Sequence, residues 1–129
     1  MSQAAVPPLA PYIQAVSAKQ ALDIVALDVS ALTSVADVFI VCSGRSNRQV
    51  AAIADDIQVR LKASGIRPLS VDGKSKGHWV LMDYGDVVIH IFYEPVRAFY
   101  DLEGLWADAV RIPIEALTQQ TDGEPDGKS

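Results

Sequence analysis

The feature that most constrains the fold is a buried-strand pattern that leads directly into a capped helix. The continuous apolar run Val38–Cys42 is short and rich in β-branched residues, as in a strand covered on both faces. After a turn containing Gly44, Ser46 and Gln49 have the spacing of a capping box, in which side chains satisfy the free amides at a helix start. The pattern therefore predicts a strand followed at once by a helix.

The predicted helix extends from about Asn47 to Ser64 and has a single apolar stripe. Gly65 favours the left-handed conformation that ends helices, and Pro68 prevents the helix from continuing. The stripe consists of residues at helical spacing: Val50, Ile53, Ala54, Ile57 and Leu61. One side of this helix is therefore expected to pack on a sheet.

Three further segments have recognisable patterns. Apolar residues at helical spacing predict a helix from Leu9 to Leu22, and Ile24–Leu27 is a second short apolar run typical of a buried strand. Pro95 can open a final helix at its first turn. The mixed stripe of that helix would consist of Val96, Phe99, Leu102, Glu103 and Trp106. The alternation of strands and helices predicts an α/β fold, a mixed β-sheet flanked by helices.

The chain length and the end segments suggest one domain. A chain of 129 residues is long enough to bury one core. We expect a short N-terminal lead over 1–8, an α/β domain over 9–118 and a polar tail over 119–129. The tail contains no hydrophobic side chain, so it is expected to be disordered in isolation.

A predicted β-hairpin places two different surfaces on the two faces of its strands. The strands Trp79–Met82 and Val87–Phe92 flank a turn for which Tyr84–Gly85 is the predicted two-residue loop. One face is wholly aliphatic and is assigned to the core: Val80, Met82, Val87, Ile89 and Ile91. The other face consists of Trp79, Leu81, Val88, His90 and Phe92. This second face suits either a partner, because such rings are common at interfaces, or a covering helix of the same chain.

Charge and composition exclude several classes of function. The net charge of −5 argues against non-specific nucleic-acid binding and favours basic protein partners. The single cysteine, Cys42, cannot form an intramolecular disulfide, which suits a reducing cytosol. No signal peptide is visible, and the apolar runs are far shorter than the ~20 residues that span a bilayer. We therefore expect a cytoplasmic protein without a membrane partner.

The segment Ser43–Ser46 is a candidate anion site because it precedes the predicted helix. Free amides and the helix dipole could hold an anion there, and Arg45 and Arg48 would strengthen the binding. A well-capped turn with solvated arginines explains the same residues. If the turn bound nucleotides, the chain would be a nucleotide-binding or nucleotidyltransferase-like enzyme, which is the alternative function.

The acidic, cysteine and histidine residues of the sequence do not have the spacing of a catalytic site. A nucleotidyltransferase needs carboxylates that alternate on a strand and face the same magnesium ions, and no predicted strand has them. The acidic pairs lie on a turn or on helices: Asp83 and Asp86, Asp55 and Asp56, Asp101 and Glu103. Cys42 is expected to be buried and inert, and His78 and His90 lack ligand spacing. We expect no enzymatic activity, no metal and no cofactor.

Several motifs together resemble the Iojap or ribosomal silencing factor family over residues 9 to 107. They are Asp23–Val29, Ala36–Val50, Ile53–Asp55, Pro68–Gly73, the strand at Trp79, Gly85–His90, and the residues Arg97, Tyr100, Leu102, Glu103, Leu105 and Trp106. Asp72 stands where the family would have a glutamate, which is a mild departure. The first residues and the acidic tail lie outside the pattern.

The resemblance implies a fold similar to nucleotidyltransferases without their catalytic carboxylates. It further implies a translational repressor that binds the large ribosomal subunit through its protein fourteen and blocks joining of the small subunit when nutrients are short. Family members are often dimers when free, so a homodimer is possible. Trp79 matches the tryptophan through which the family contacts its partner; Leu81, His90, Asp83 and Asp86 are carried over as its neighbours.

Overall fold

The computed structural model describes residues 8–115, which form one sheet between two helical layers. In chain order the elements are α1 (Ala10–Ser17), β1 (Leu22–Asp28), β2 (Val38–Gly44), α2 (Asn47–Ala63), β3 (Ser70–Asp72), β4 (Trp79–Asp83), β5 (Val87–Tyr93), α3 (Glu94–Tyr100), α4 (Leu102–Leu105) and β6 (Val110–Ile112). The predicted tail over 119–129, and the predicted lead up to residue 7, lie outside the described residues. None of the described helices is long and apolar enough to cross a membrane.

The six strands form a mixed sheet in the order β3-β4-β5-β2-β1-β6. β2 and β5 run parallel, and the other neighbouring strands are antiparallel. The apolar runs Ile24–Leu27 and Val38–Cys42 both lie in strands with a neighbour on each side, so neither is at an exposed edge. The predicted single-domain α/β architecture with a mixed sheet is confirmed.

Helix α2 forms where the sequence predicts it and is capped as predicted. The Ser46 hydroxyl accepts a hydrogen bond from the Gln49 amide at 3.0 Å, and the Gln49 side chain accepts one from the Arg45 amide. At the other end, Gly65 has a φ of +81° and the Ile66 amide donates to the carbonyl of Leu61 at 2.8 Å. Local interactions therefore fix both ends of this helix: side-chain caps at the start, and a left-handed glycine with a backbone hydrogen bond at the end.

The predicted first helix is too long. α1 ends at Ser17, where the hydroxyl donates to the Ile13 carbonyl at 2.7 Å, and Leu22 already belongs to β1. Gln20 has a φ of +61° and Asp23 one of +50°, and the pairing of β1 with β2 shifts register beside Asp23. Apolar residues continue at similar spacing from α1 into β1, so the sequence pattern did not show where the helix ends.

The predicted final helix is two short helices. Asp101 has a φ of +48°, which breaks the helix between α3 and α4, and its carboxylate accepts a hydrogen bond from the Gly104 amide at 3.2 Å. After α4 the chain returns to the sheet, where β6 pairs with the end of β1. The sequence did not predict β3 or β6, since three residues are too few to show an alternation.

The hairpin has a different turn from the one predicted. Asp83 pairs with Val88, and the Tyr84 amide donates to the carbonyl of Val87 at 2.9 Å, so the two-residue turn is Gly85–Asp86. Gly85 has a φ of +89° and its amide donates to the Asp83 carboxylate at 2.8 Å. Moving the turn by one residue shifts the pairing by two, so every side chain keeps its predicted face.

The two sheet faces carry cores of different size. On the first face the buried residues of α1 and α2 pack on the aliphatic hairpin face, which confirms that face as the core: Ile13, Val16, Ile53, Ile57 and Leu61 against Val80, Met82, Ile89 and Ile91. The second face carries two smaller clusters, which contain Leu27, Phe39 and Val88, and Val41, Phe92 and Leu102. The short α3–α4 segment covers this second face only in part, and part of it remains open around Trp79.

Candidate functional site

An aromatic surface lies where β4 begins and α3 passes over it. Trp79 is half-buried, and its ring lies 4.8 Å from that of Phe92 and 5.0 Å from that of Tyr100. Phe99 packs edge-on against Tyr100 at 5.2 Å and is 81 % exposed, while Tyr100 is 48 % exposed. We call Trp79, Phe99 and Tyr100 the aromatic surface. Trp79 packs on buried Phe92, while Phe99 and Tyr100 are exposed to solvent.

A groove beside these rings could take a side chain of a partner. Its volume is about 310 Å³, and its lining is mostly apolar: His78, Trp79, Pro95, Val96, Phe99 and Tyr100. Large contiguous patches of exposed apolar side chains are uncommon on monomeric proteins, and they typically mark contact sites for other molecules. The geometry suits a protein ligand with an apolar anchor.

His90 supports Trp79 from below and cannot itself reach a partner. It is 4 % exposed, and its Nδ1 accepts a hydrogen bond from the Trp79 Nε1 at 3.2 Å. Burial lowers the pKa of His90 to about 4, so its ring is neutral at physiological pH. Because Nδ1 accepts the bond from Trp79, the proton of the neutral ring is assigned to Nε2. The bond orients the indole ring of Trp79 on the sheet.

The other predicted site residues lie apart from the groove. Leu81 is half-buried and packs on the cluster around Phe39. Asp83 is four residues from Trp79 along β4, about 13 Å at the usual rise per residue. Its carboxylate holds the turn, while Asp86 is exposed and its carbonyl accepts hydrogen bonds from the amides at 37 and 38. The structure therefore groups Trp79 with His90 and places both acids at the turn end of the hairpin.

An ion pair joins α3 to α4, and a hydrogen bond from the same arginine ties α3 to β2. α3 has no fully buried side chain, but the Arg97 guanidinium donates to both carboxylate oxygens of Glu103, at 3.1 Å from Nε and 2.9 Å from Nη2. A third hydrogen bond, from Arg97 Nη1 to the hydroxyl of buried Ser43, measures 2.8 Å. We call Arg97, Glu103 and Ser43 the clamp. It fixes the helix that carries Phe99 and Tyr100.

The Ser43 hydroxyl and the acidic pair Asp55–Asp56 are engaged by other side chains of the protein. The hydroxyl of Ser43 is buried and engaged by Arg97, so it does not face a ligand at the turn. Asp55 and Asp56 pair with Lys74 and Arg60. Among residues 8–115 no group of three or more histidine, cysteine or acidic side chains is placed to hold a metal ion.

Cys42 is confirmed as buried. It is fully enclosed in β2, and burial raises the pKa of its thiol to about 12. The thiolate is the reactive form of cysteine, so this side chain is chemically inert in the folded protein.

Sequence reasoning missed Phe99 and Tyr100 as surface residues. Phe99 lay on the predicted mixed stripe of the final helix, and it is among the most exposed apolar side chains described. The adjacency of two aromatic residues gave a usable signal, because neighbours on a helix point about 100° apart and cannot both face the sheet. Their position over Trp79 depends on the break at Asp101 and on the clamp.

Comparisons with known proteins agree on one family. A family model described as "Ribosomal silencing factor during starvation" matches residues 3–129. The chain is similar to a ribosomal silencing factor from Halalkalibacterium halodurans, at 39 % identity over 105 residues, covering 81 % of this chain and 90 % of that protein. It is also similar to one from Chromobacterium violaceum, at 46 % identity over 94 residues, covering 73 % and 77 %.

Solved structures give the same result. A crystal structure of a protein from Chromobacterium violaceum matches with a TM-score of 0.72 and 45 % identity, covering 77 % of this chain and 81 % of that one. A second crystal structure, from Bacillus halodurans, matches with a TM-score of 0.72 and 36 % identity, covering 81 % and 95 %. The fold and the sequence therefore point to the same relatives.

Proposed function

This chain belongs to the ribosomal silencing factor family, and we propose that it represses translation by binding the large ribosomal subunit. In this proposal the contact is with ribosomal protein fourteen, and the bound protein blocks joining of the small subunit when nutrients are limiting. The family match over residues 3–129 supports a ribosome-associated silencing role. The aromatic surface is the single structural observation that carries the proposal, because it supplies a partly open apolar contact site.

Trp79 is the proposed anchor of this contact. Tryptophan is enriched among the residues that dominate interface energies, and here one edge is held by His90 while the ring lies beside the groove. Leu81 extends the apolar area along β4. Asp83 and Asp86 steer a basic partner from a distance, since charges at a rim change association rates more than affinity.

The proposal also includes the protein's mode of action, its location and its oligomeric state. It acts by binding rather than by catalysis, without a cofactor, and it works in the cytoplasm. The free protein is proposed to be able to form a homodimer, which analytical ultracentrifugation over a range of concentrations would test. It has no sequence-specific contact with nucleic acid in this proposal.

Sedimentation with separated ribosomal subunits tests the proposal. The wild-type protein should pellet with large subunits and remain in solution with small ones. Phe99→Ala is the most informative variant, because this side chain is 81 % exposed and its removal leaves the core intact. We expect binding to weaken at least about tenfold with an unchanged melting temperature. Val59→Ala, which trims a 68 % exposed side chain on α2, is the matched control.

The Trp79→Ala variant should lose more binding affinity, but it should also lose some folding stability. A buried interface tryptophan is typically worth ~2–4 kcal/mol, or about 30- to 1,000-fold in affinity. The ring also packs on Phe92, so this variant should lose some stability and must be assayed well below its melting temperature. Binding by the wild type to both subunits alike, or full binding by both variants, would refute the proposal.

A further inference from the structure

Five basic side chains from three separate segments gather around the first turn of α2. They are Lys19 after α1, Arg45 and Arg48 at the start of α2, and Lys74 and Lys76 in the loop before β4. We call this set the α2 basic patch. It holds five of the eleven lysine and arginine residues of a chain whose net charge is −5, so the positive charge is concentrated locally.

Contacts in the structure bring the three segments together. The loop over 73–77 lies so close to α2 that a Cβ on Gly77 would collide with the Asn47 carbonyl. Lys74 reaches further along the helix and pairs with Asp55 at 2.6 Å. Lys19 shares a surface depression with Gln49 and Ala52 on the next turn of the same helix.

Most of this charge is open to solvent. Lys19, Arg45, Arg48 and Lys76 are exposed, and the first turn of α2 contains no acidic residue. Asp55 offsets one of the five cations by its pair with Lys74. A surplus of positive charge therefore remains, despite the acidic character of the whole chain.

The patch adjoins the aromatic surface. Lys76 is three residues from Trp79, which is at most about 11 Å along the chain. The Tyr93 amide donates to the His78 carbonyl at 2.9 Å, which ties the intervening residues to β5 beside the groove. A molecule large enough to cover the groove would therefore also come near the cations.

We infer that the α2 basic patch binds phosphate groups of ribosomal RNA next to the protein contact. Arginine and lysine side chains neutralise phosphates without reading sequence, and a cluster of them from several segments suits a nucleic-acid backbone. This inference rests on the proposed function, because the large subunit is the RNA-bearing partner. It gives the protein a second, salt-sensitive contact on the same subunit.

The test compares two triple variants, one near the first turn of α2 and one near its last turn. Arg45, Arg48 and Lys76 are replaced by alanine in the first, and Arg60, Lys62 and Arg67 at or beyond the far end of α2 in the control, so both lose three positive charges. The dissociation constant for purified large subunits is measured between about 50 and 200 mM salt. The patch variant should lower the slope of the log–log plot by about 2, since each phosphate contact contributes roughly 0.7–0.9. The control should keep the wild-type slope.

Two further binding measurements distinguish failure of this inference from failure of the proposed function. Deproteinised large-subunit RNA should bind the wild type and the control at low salt and the patch variant more weakly. Isolated ribosomal protein fourteen should bind all three alike. Equal slopes and equal RNA binding for the two triples would overturn the inference, as would loss of protein-fourteen binding by the patch variant alone. If the wild type bound RNA through the patch yet did not bind large subunits, only the proposed function would fail.

Discussion

Replacing Glu103 by glutamine breaks the ion pair that joins α3 to α4, and the burial of the pair sets the size of the expected loss of stability. The Arg97 side chain is only 12 % exposed and Glu103 31 %. Glutamine keeps the shape and one acceptor oxygen but removes the negative charge. The substitution therefore leaves a largely buried guanidinium with a weaker partner.

The magnitude lies between two known limits. Breaking a fully buried ion pair costs about 3–5 kcal/mol, and an exposed pair is worth about 0.2–1 kcal/mol. Because this pair is partly buried and one hydrogen bond survives, we expect a loss of about 2 kcal/mol. For a domain of this size that corresponds to a drop in melting temperature of roughly 8 °C.

Asp56→Asn is the matched control. It breaks the Asp56–Arg60 pair, one helical turn apart on α2, where the arginine side chain is 51 % exposed. Pairs of this kind are worth about 0.2–0.5 kcal/mol, so the melting temperature should change by no more than about 2 °C. Differential scanning calorimetry measures both variants. Equal losses for the two variants would refute the view that burial makes the clamp the stronger pair.

The effect should also depend on pH in a defined direction. Hydrogen bonding to Arg97 lowers the pKa of Glu103, against the opposing effect of burial. A carboxyl group whose pKa is lower in the folded state adds stability above its unfolded value, and this is lost as pH falls through the folded value. The gap between wild type and Glu103→Gln should be full at neutral pH and narrow below about 4.3. A gap that widened in acid would contradict the pairing.

Three other perturbations have defined outcomes. Ser46→Ala removes the cap of α2 and should cost about 0.5–2 kcal/mol in chemical denaturation, whereas Ser64→Ala beyond the helix should cost little. Cys42 should resist a thiol reagent in native protein and react at once in denaturant; fast native labelling would contradict its burial. Deleting residues 119–129, which lack hydrophobic side chains, should leave the melting temperature and large-subunit binding nearly unchanged; a tenfold loss of binding would make the tail a contact element.

The elements predicted correctly are those whose signals are local. The capping box at Ser46 and the glycine at 65 mark the ends of α2 without reference to the rest of the chain. The face assignment of the hairpin was also correct although the turn was wrong, because side chains alternate with a period of two and the register error was two. Patterns of this kind tolerate small errors in position.

The elements missed depend on contacts between distant residues. The break at Asp101 requires a left-handed backbone conformation, which no sequence pattern predicted at this residue. The clamp beside it includes a hydrogen bond between residues 54 positions apart. β6 is strand only because β1 offers an edge to pair with. The aromatic surface follows from that break, so the sequence identified Trp79 but not Tyr100 or Phe99 as its neighbours on the surface.

The most direct test of the central claim is light scattering as small and large ribosomal subunits join in magnesium-containing buffer. Wild-type protein, mixed first with the large subunit, should suppress the rise in scattering in proportion to its occupancy, and Phe99→Ala should need at least about tenfold more protein for the same effect. Val59→Ala should act as the wild type does. Normal joining in the presence of saturating wild-type protein, or equal suppression by Phe99→Ala, would contradict silencing through the aromatic surface.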